Sequence, residues 1–127
     1  MPVVFELHDK DGYFTAKWTE KLGNEDILGA YKKFIGGEQW SHSLNELTDL
    51  SQADLENITN DGMIELQIFA EQVYRKNNTA AVKVAVYCPN GLPNEMARIY
   101  EAWSGRSPEY VRMFKNIQAA ETWLRRQ

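Results

Sequence analysis

The sequence has a single cysteine, no long apolar run and no lysine or arginine between positions 38 and 72. Cys88 can form no internal disulfide and cannot build a cysteine-based metal site alone. No apolar stretch approaches the roughly 20 residues of a membrane span, and the N-terminus turns acidic without the basic start of a secretory signal. With 127 residues and a net charge of −4, the chain is expected to be one soluble, cytoplasmic domain that does not bind nucleic acid.

The net charge conceals an uneven distribution along the chain. Residues 38–72 carry a net charge of −8, whereas residues 73–127 carry +5. One interpretation is a solvated acidic face. The other is a surface that repels anions and suits a partner with a basic surface.

Alternating apolar residues at the start of the chain predict a β-hairpin. Strands are expected over residues 3–8 and 13–19, and the turn between them ends at Gly12. Asn24 is then predicted to cap a helix that stops at Gly36-Gly37 through a left-handed conformation.

The rest of the chain alternates between strand and helix patterns. Strands are expected near 43–50, 80–87 and 110–114, and helices over 60–76, near Met96–Trp103 and after Asn116. In the helix over 60–76, Ile64 and Ile68 are expected to widen the core stripe. The order β-β-α-β-α-β-α-β-α predicts an α/β fold. Its mixed sheet has five strands, the first antiparallel and the other four parallel, with four helices on its faces.

Few residues in the chain suggest catalysis or metal binding. No glycine-rich phosphate loop opens a helix. His8 and His42 are not spaced as ligands on one element, so each is expected to have a structural role. Cys88 follows a buried strand without a nearby histidine, which favours a small buried hydrophobe over a nucleophile. No metal and no cofactor are therefore predicted.

Two further features leave alternatives open. Asp49, Asp54 and Asp61 would suit hydrolysis only if the fold brought them together, and no sequence feature sets their geometry, so the chain is not expected to be an enzyme. Trp40 lies in a predicted loop, where the sequence gives no reason to expect burial in the core, and a surface anchor for a partner is one interpretation.

Several segments together resemble a known family, the SpoIIAA-like (STAS) domains of anti-sigma-factor antagonists. The chain looks closest to small stand-alone bacterial proteins of the STAS/SEC14 type, most of them without assigned activity. The similar segments, in chain order, are Asp49–Ser51, Val82–Val86, Met96–Trp103, Val111–Phe114 and Ala119–Leu124. The resemblance spans nearly residues 1–127 as a single domain and implies the same sheet, with its strands in sequential order.

The resemblance also implies where a regulatory phosphorylation site would lie. In the antagonists the loop after the third strand reads roughly Asp-Ser-Ser-Gly-Leu, and a partner kinase phosphorylates a serine there. The matching segment here is Thr59–Met63, in which Asp61 occupies the acceptor position. The phosphorylation switch is therefore not expected to carry over, and Thr59 would be an acceptor only if the register shifted by two residues.

Two functions fit these observations. The first is a non-catalytic regulatory or protein-interaction module. Its face would comprise the loop Leu50–Gly62, the start of the next helix and the turn Cys88–Asn94, where strand ends meet helix starts. The residues expected on that face are Asp54, Glu56, Thr59, Asn60, Asp61, Gly62 and Asn90.

The second function is the binding of a lipid or another apolar small molecule. Its pocket would lie between the sheet and the helix that carries Met96, Tyr100 and Trp103. Homodimerisation is compatible with either function, because the helix Met63–Tyr74 has two apolar faces. Burial of both faces in the core explains the same pattern.

Overall fold

The computed structural model describes residues 2–79, 81–92, 96–98, 102 and 109–126. Its sheet has five strands in sequential order. They are β1 (Val3–His8), β2 (Tyr13–Lys21), β3 (Asn45–Asp54), β4 (Val82–Tyr87) and β5 (Glu109–Phe114). β1 is antiparallel to β2, and every later pair is parallel. The predicted mixed sheet is confirmed.

The helices alternate with the parallel strands, as the sequence pattern predicts. They are α1 (Asn24–Ile35), α2 (Asn60–Lys76) and α3 (Ile117–Arg125). Residues 96–98 and 102 are helical as well, in agreement with a helix near Met96–Trp103, although Ile99, Tyr100 and Trp103 lie outside the described residues. The side chain of Asn116 accepts the N–H of Ala119 at 3.0 Å and caps α3 as predicted.

The sheet has a core on each face. On one face, residues of α1 and α2 such as Ile27 and Met63 pack in the larger cluster against sheet residues such as Phe14, Trp18 and Val84. On the other face, α3 covers a smaller cluster of buried residues: Tyr13, Leu47, Ala85, Ala120 and Leu124. Because β4 contributes to both clusters, its apolar sequence on both faces follows from its position inside the sheet.

The strands β2 and β3 are longer than the sequence pattern indicates. Beyond a register shift between Lys17 and Thr19, the two strands continue to pair up to Lys21 and Asp54. The parallel ladder satisfies backbone groups there that a loop would leave to solvent. The connection between β3 and α2 is therefore residues 55–59, close to the polar connection expected between Asp54 and Thr59, and β3 includes the first part of the Leu50–Gly62 segment.

Two predicted helix ends are wrong in detail. Gly23, not Asn24, is the N-cap of α1, and its N–H donates to Asp26 Oδ2 at 2.8 Å. Asn24 is the first helical residue, so its side chain is free to bond elsewhere. At the other end, Gly36 has φ −76°, a right-handed conformation, and its N–H bonds to the carbonyl of Lys32 at 3.0 Å. The last helical turn thus continues through Gly36 without a left-handed residue.

The prediction that Ile64 and Ile68 widen the core stripe of α2 is also wrong. Met63 and Tyr74 are buried, but Ile64 and Ile68 are 45% and 51% exposed. One turn apart on the helix, these two isoleucines share a side that does not pack on the sheet.

Candidate functional site

The carboxyl ends of the parallel strands meet at one edge of the sheet, and α1 and α2 both begin there. We call this the carboxyl edge and define it by residues 22–26, 54–62 and 88–92. In open α/β sheets this edge is where binding sites usually form.

Hydrogen bonds join the starts of α1 and α2. Asn24 Nδ2 donates to Thr59 Oγ1 at 2.8 Å, and Asn24 Oδ1 accepts the Thr59 N–H at 3.1 Å. Thr59 Oγ1 also accepts the N–H of Gly62 at 3.1 Å, which makes Thr59 the N-cap of α2. A Cβ on residue 62 would overlap the Asn24 side chain. The glycine therefore lets the two helix starts approach each other.

Acidic side chains surround this contact. Those on the protein surface are Glu25, Asp26, Asp54, Glu56 and Asp61. Asp54 Oδ1 accepts the N–H of Glu56 at 3.1 Å, which orders the connection, and Lys21 Nζ lies 3.3 Å from Glu56 Oε2. The carboxylates in the first turns of α1 and α2 offset the positive ends of the helix dipoles.

The structure brings most predicted face residues to this edge. Asp54, Glu56, Thr59, Asn60, Asp61 and Gly62 lie within nine positions of each other, at the end of β3 and the start of α2. Sequence reasoning did not assign Glu25 and Asp26 to the face. Their position in the first turn of a helix that follows β2 is the signal that places them there.

Asn90 reaches the same edge from the end of β4. The turn is closed by the Gly91 N–H, which bonds to the Cys88 carbonyl at 3.1 Å, and Gly91 has φ +78°. Asn90 is exposed. The Cys88 thiol is buried and donates to the Gly91 carbonyl at 3.1 Å, and burial raises the pKa of this thiol. These contacts agree with the prediction of a small buried hydrophobe.

Both histidines have hydrogen-bonded structural positions. His8 Nε2 lies 2.8 Å from Thr15 Oγ1, and His42 Nδ1 lies 2.9 Å from Thr79 Oγ1. Across the described ranges, no group of three or more His, Cys, Asp or Glu residues is arranged to hold a metal ion. No helix in the described part of the chain is long and apolar enough to cross a membrane.

Trp40 packs against the core and is not a free surface anchor. It is half-buried against the larger cluster, and its ring centroid lies 6.3 Å from that of Tyr74. Asp49 has a local structural role, because its Oδ1 accepts both the N–H and the hydroxyl of Ser51, at 2.9 and 2.6 Å.

The pocket predicted for an apolar ligand has one described residue. Met96 is buried within the larger cluster, where core side chains surround it. Tyr100 and Trp103 lie outside the described residues.

Sequence reasoning missed a buried polar network on the α1/α2 face. Trp18 Nε1 donates to the Tyr31 hydroxyl at 3.2 Å, and that hydroxyl donates to Glu46 Oε2 at 2.6 Å. The Thr48 hydroxyl donates to the same oxygen at 2.6 Å. Burial raises the pKa of Glu46, and these hydrogen bonds oppose the rise. Glu46 belongs to the acidic stretch in sequence but adds nothing to its exposed surface.

A second carboxyl, Glu109, lies near Glu46 on this face of the sheet. Burial, and then repulsion by Glu46, raise the pKa of Glu109 to about 8, while a hydrogen bond from Gln67 opposes the rise. One feature of the sequence could have revealed Glu46. Alternate residues of a strand point to the same face, so Glu46 and Thr48 share the α1/α2 face with Leu50 and with Leu44, which directly precedes β3.

Together, the sheet order and the helix positions define an α/β protein of SpoIIAA-like fold. A solved structure from Shewanella loihica PV-4, an uncharacterised protein of the DUF3478 family with a SpoIIAA-like fold, superposes with a TM-score of 0.57. The two sequences are 17% identical, and the match covers 96% of this chain and 91% of that chain. A likeness at this identity shows the fold alone. No protein-family model matches the sequence, and no curated protein does.

Proposed function

We propose that this protein is a non-catalytic regulatory module that binds a partner protein with a basic surface through the carboxyl edge. The observation that carries the proposal is the Asn24–Thr59 contact, which holds two helix starts side by side among exposed carboxylates. Such a surface is joined by hydrogen bonds and its exposed acidic groups share one charge sign, and both properties favour recognition of a complementary protein.

The charge of the edge supports the choice of partner. Lys21 is paired with Glu56, while Glu25, Asp54 and Asp61 project from neighbouring segments. Exposed charges of one sign raise the association rate of an oppositely charged partner and repel a like-charged one. In this proposal the exposed charges act mostly by raising the association rate of the partner. Salt screens these charges and therefore lowers that rate.

Asp61 distinguishes the proposed interaction from a phosphorylation switch. The residue lies in the first turn of α2, where its carboxylate is favoured by the helix dipole. Because this negative charge is permanent, binding at the edge would not be turned off by a kinase acting at position 61. Control would lie with the abundance or state of the partner.

Affinity capture with charge-reversal variants tests the proposal. Wild-type protein, D54K/E56K/D61K and the control E6K/D9K/E38K are immobilised and exposed to lysate of the source cells. The control changes the net charge equally at exposed positions outside the carboxyl edge. Wild type and control should retain the same protein, identified by mass spectrometry, and the edge variant should lose it.

The captured protein is then purified, and its affinity is measured at about 0.1 M and about 0.5 M salt. Binding that weakens with salt for wild type and control supports the proposal. Equal capture by all three variants would remove the carboxyl edge from consideration. If only further copies of this chain were captured, the result would contradict a basic partner protein and would indicate a homodimer.

A further inference from the structure

The interior of the α1/α2 face contains a small cavity that the carboxyl edge does not use. Its volume is about 50 Å³. Aromatic residues form much of the lining, and the two carboxyl residues lie among them: Phe14, Trp18, Tyr31, Phe69, Tyr74, Glu46 and Glu109. A cavity needs at least about 10–15 Å³ of such space to hold one water molecule, so this cavity has room for a ligand of a few heavy atoms.

The two carboxyls differ in how the protein satisfies them. Glu46 Oε2 accepts hydroxyl hydrogen bonds from Tyr31 and Thr48, which hold the carboxyl in place and stabilise its charge. Glu109 is only 8% exposed, yet its Oε1 has no hydrogen-bond partner among the described residues. A buried carboxyl oxygen without a donor is costly. Gln67 supplies one hydrogen bond to this carboxyl group, so what the described residues lack is a donor aimed at Glu109 Oε1.

The side chains that line the cavity also favour a positively charged ligand. Two carboxyls close enough to repel each other disfavour an anion and favour a cation between them. Aromatic walls favour cations over neutral polar groups, because a ring carries negative charge on its face. An alkali metal ion would gain from the carboxyls but has no N–H to donate.

We propose that this cavity binds a small ammonium-type cation, ammonium or methylammonium, whose N–H donates to Glu109 Oε1 while Glu46 and the aromatic rings surround it. The proposal is independent of the carboxyl edge. It would make the module responsive to a nitrogen-containing small molecule, since the bound cation contacts the sheet and both helices that begin at that edge.

Proton competition gives the site a distinctive pH dependence. The titratable groups that face Glu109 are Glu46 on β3 and Glu71 and Tyr74 on α2, and Tyr31 on α1 contacts Glu46. When the cation enters, Glu109 releases its proton to solvent. The affinity should therefore rise about tenfold for each pH unit up to about pH 8.

Thermal unfolding with matched salts tests the proposal. At about 100 mM and pH 8, methylammonium chloride should raise the melting temperature by about 3 °C or more relative to tetramethylammonium chloride, which has no N–H to donate. At pH 6 the difference should disappear. E109Q should lose the difference at pH 8, and the surface control E65Q should keep it. Potassium chloride at the same concentration should match tetramethylammonium chloride.

A second measurement keeps the test decisive if E109Q does not fold. In wild-type protein, an NMR cross-peak from the methyl group of methylammonium to the Trp18 indole protons is expected at pH 8. Absence of both the cross-peak and the melting shift would overturn the proposal. Equal stabilisation by potassium would also contradict a site that recognises N–H donors.

Discussion

Asn24, the first residue of α1, and Thr59, the N-cap of α2, bond to each other through both side-chain and backbone atoms at 2.8 and 3.1 Å. The pair converts two separate helix starts into one surface. It also explains why Gly62 has no side chain, because the Asn24 amide occupies the space that a Cβ would need. Four predictions on stability follow from this pair, the buried carboxyls and the helix ends.

Replacing Gly62 with alanine tests how closely the two helix starts approach. Alanine is the better helix former by about 1 kcal/mol, but its Cβ overlaps Asn24, so we expect G62A to destabilise the protein by about 1–3 kcal/mol. G29A is the matched control, because a Cβ at that helical glycine of α1 meets nothing within 4 Å. The free energy of unfolding in urea measures both. N24A combined with G62A should relieve the overlap, and a G62A protein as stable as G29A would contradict the close approach.

The buried carboxyls predict that stability falls as pH rises. The pKa of Glu109 is raised from 4.5 to about 8, so the folded state holds a proton that the unfolded state releases. The stabilisation from this group is full below about pH 4.5 and is lost as pH rises through 8. We expect the free energy of unfolding to fall by on the order of 1 kcal/mol per pH unit over that window.

E109Q provides the comparison for the pH dependence. Glutamine cannot ionise, so E109Q should flatten the slope between pH 5 and 8, whereas the surface variant E56Q should keep the wild-type slope. Urea titrations at several pH values give the slope directly. A wild-type slope unchanged by E109Q would place the titrating group elsewhere.

Tyr31 should contribute more to stability through its hydroxyl than Tyr13 does. The Tyr31 hydroxyl links the Trp18 indole to Glu46 in the interior, while the Tyr13 hydroxyl donates to Glu121 at 3.3 Å in a partly buried position. Y31F should cost about 1–3 kcal/mol, because it removes the acceptor of the buried Trp18 N–H and one of the two hydroxyl donors to Glu46. Y13F should cost less than about 1 kcal/mol, and equal losses in urea unfolding would contradict the network.

Lys83 should anchor the end of α3. Its ammonium donates to the carbonyls of Trp123 and Arg126 at 2.9 and 2.6 Å, and it lies 5.5 Å from the Trp123 ring centroid. K83M should leave those carbonyls unsatisfied and destabilise the helix end by about 1 kcal/mol. Amide hydrogen exchange in the last turn of α3 should accelerate, and the exposed control K115M should not change it. If amide hydrogen exchange in the last turn of α3 were the same in K83M as in wild type, the Lys83 hydrogen bonds would not stabilise the helix end.

The fold was predictable wherever hydrophobic periodicity was strong. The bounds of β1 and α2 agree with the sequence pattern to the residue, because the alternation over Val3–His8 and the helical stripe over Asn60–Lys76 have few polar interruptions. β3 was harder. Two of its inward positions are Glu46 and Thr48, so its alternation does not look apolar, and its length depends on pairing with β2.

The candidate site was predictable only in part. The acidic connection after β3 followed from topology, which brings strand ends and helix starts to one edge. The contact of Asn24 with Thr59 joins residues 35 positions apart, and local propensity contains no information about such a pair. The same holds for Glu46 and Glu109, whose proximity depends on the sheet order β3-β4-β5.

Site-specific photo-crosslinking tests the central claim, that a basic partner binds the carboxyl edge. A benzophenone amino acid replaces Asn57 in the acidic connection or, as the control, Asn78 after the end of α2; both side chains are exposed. Irradiation with the captured partner should give a crosslinked product from position 57 and none from position 78, and D54K/E56K/D61K should abolish it. A crosslink from position 78 alone, or one from position 57 that survives the charge reversal, would contradict the claim.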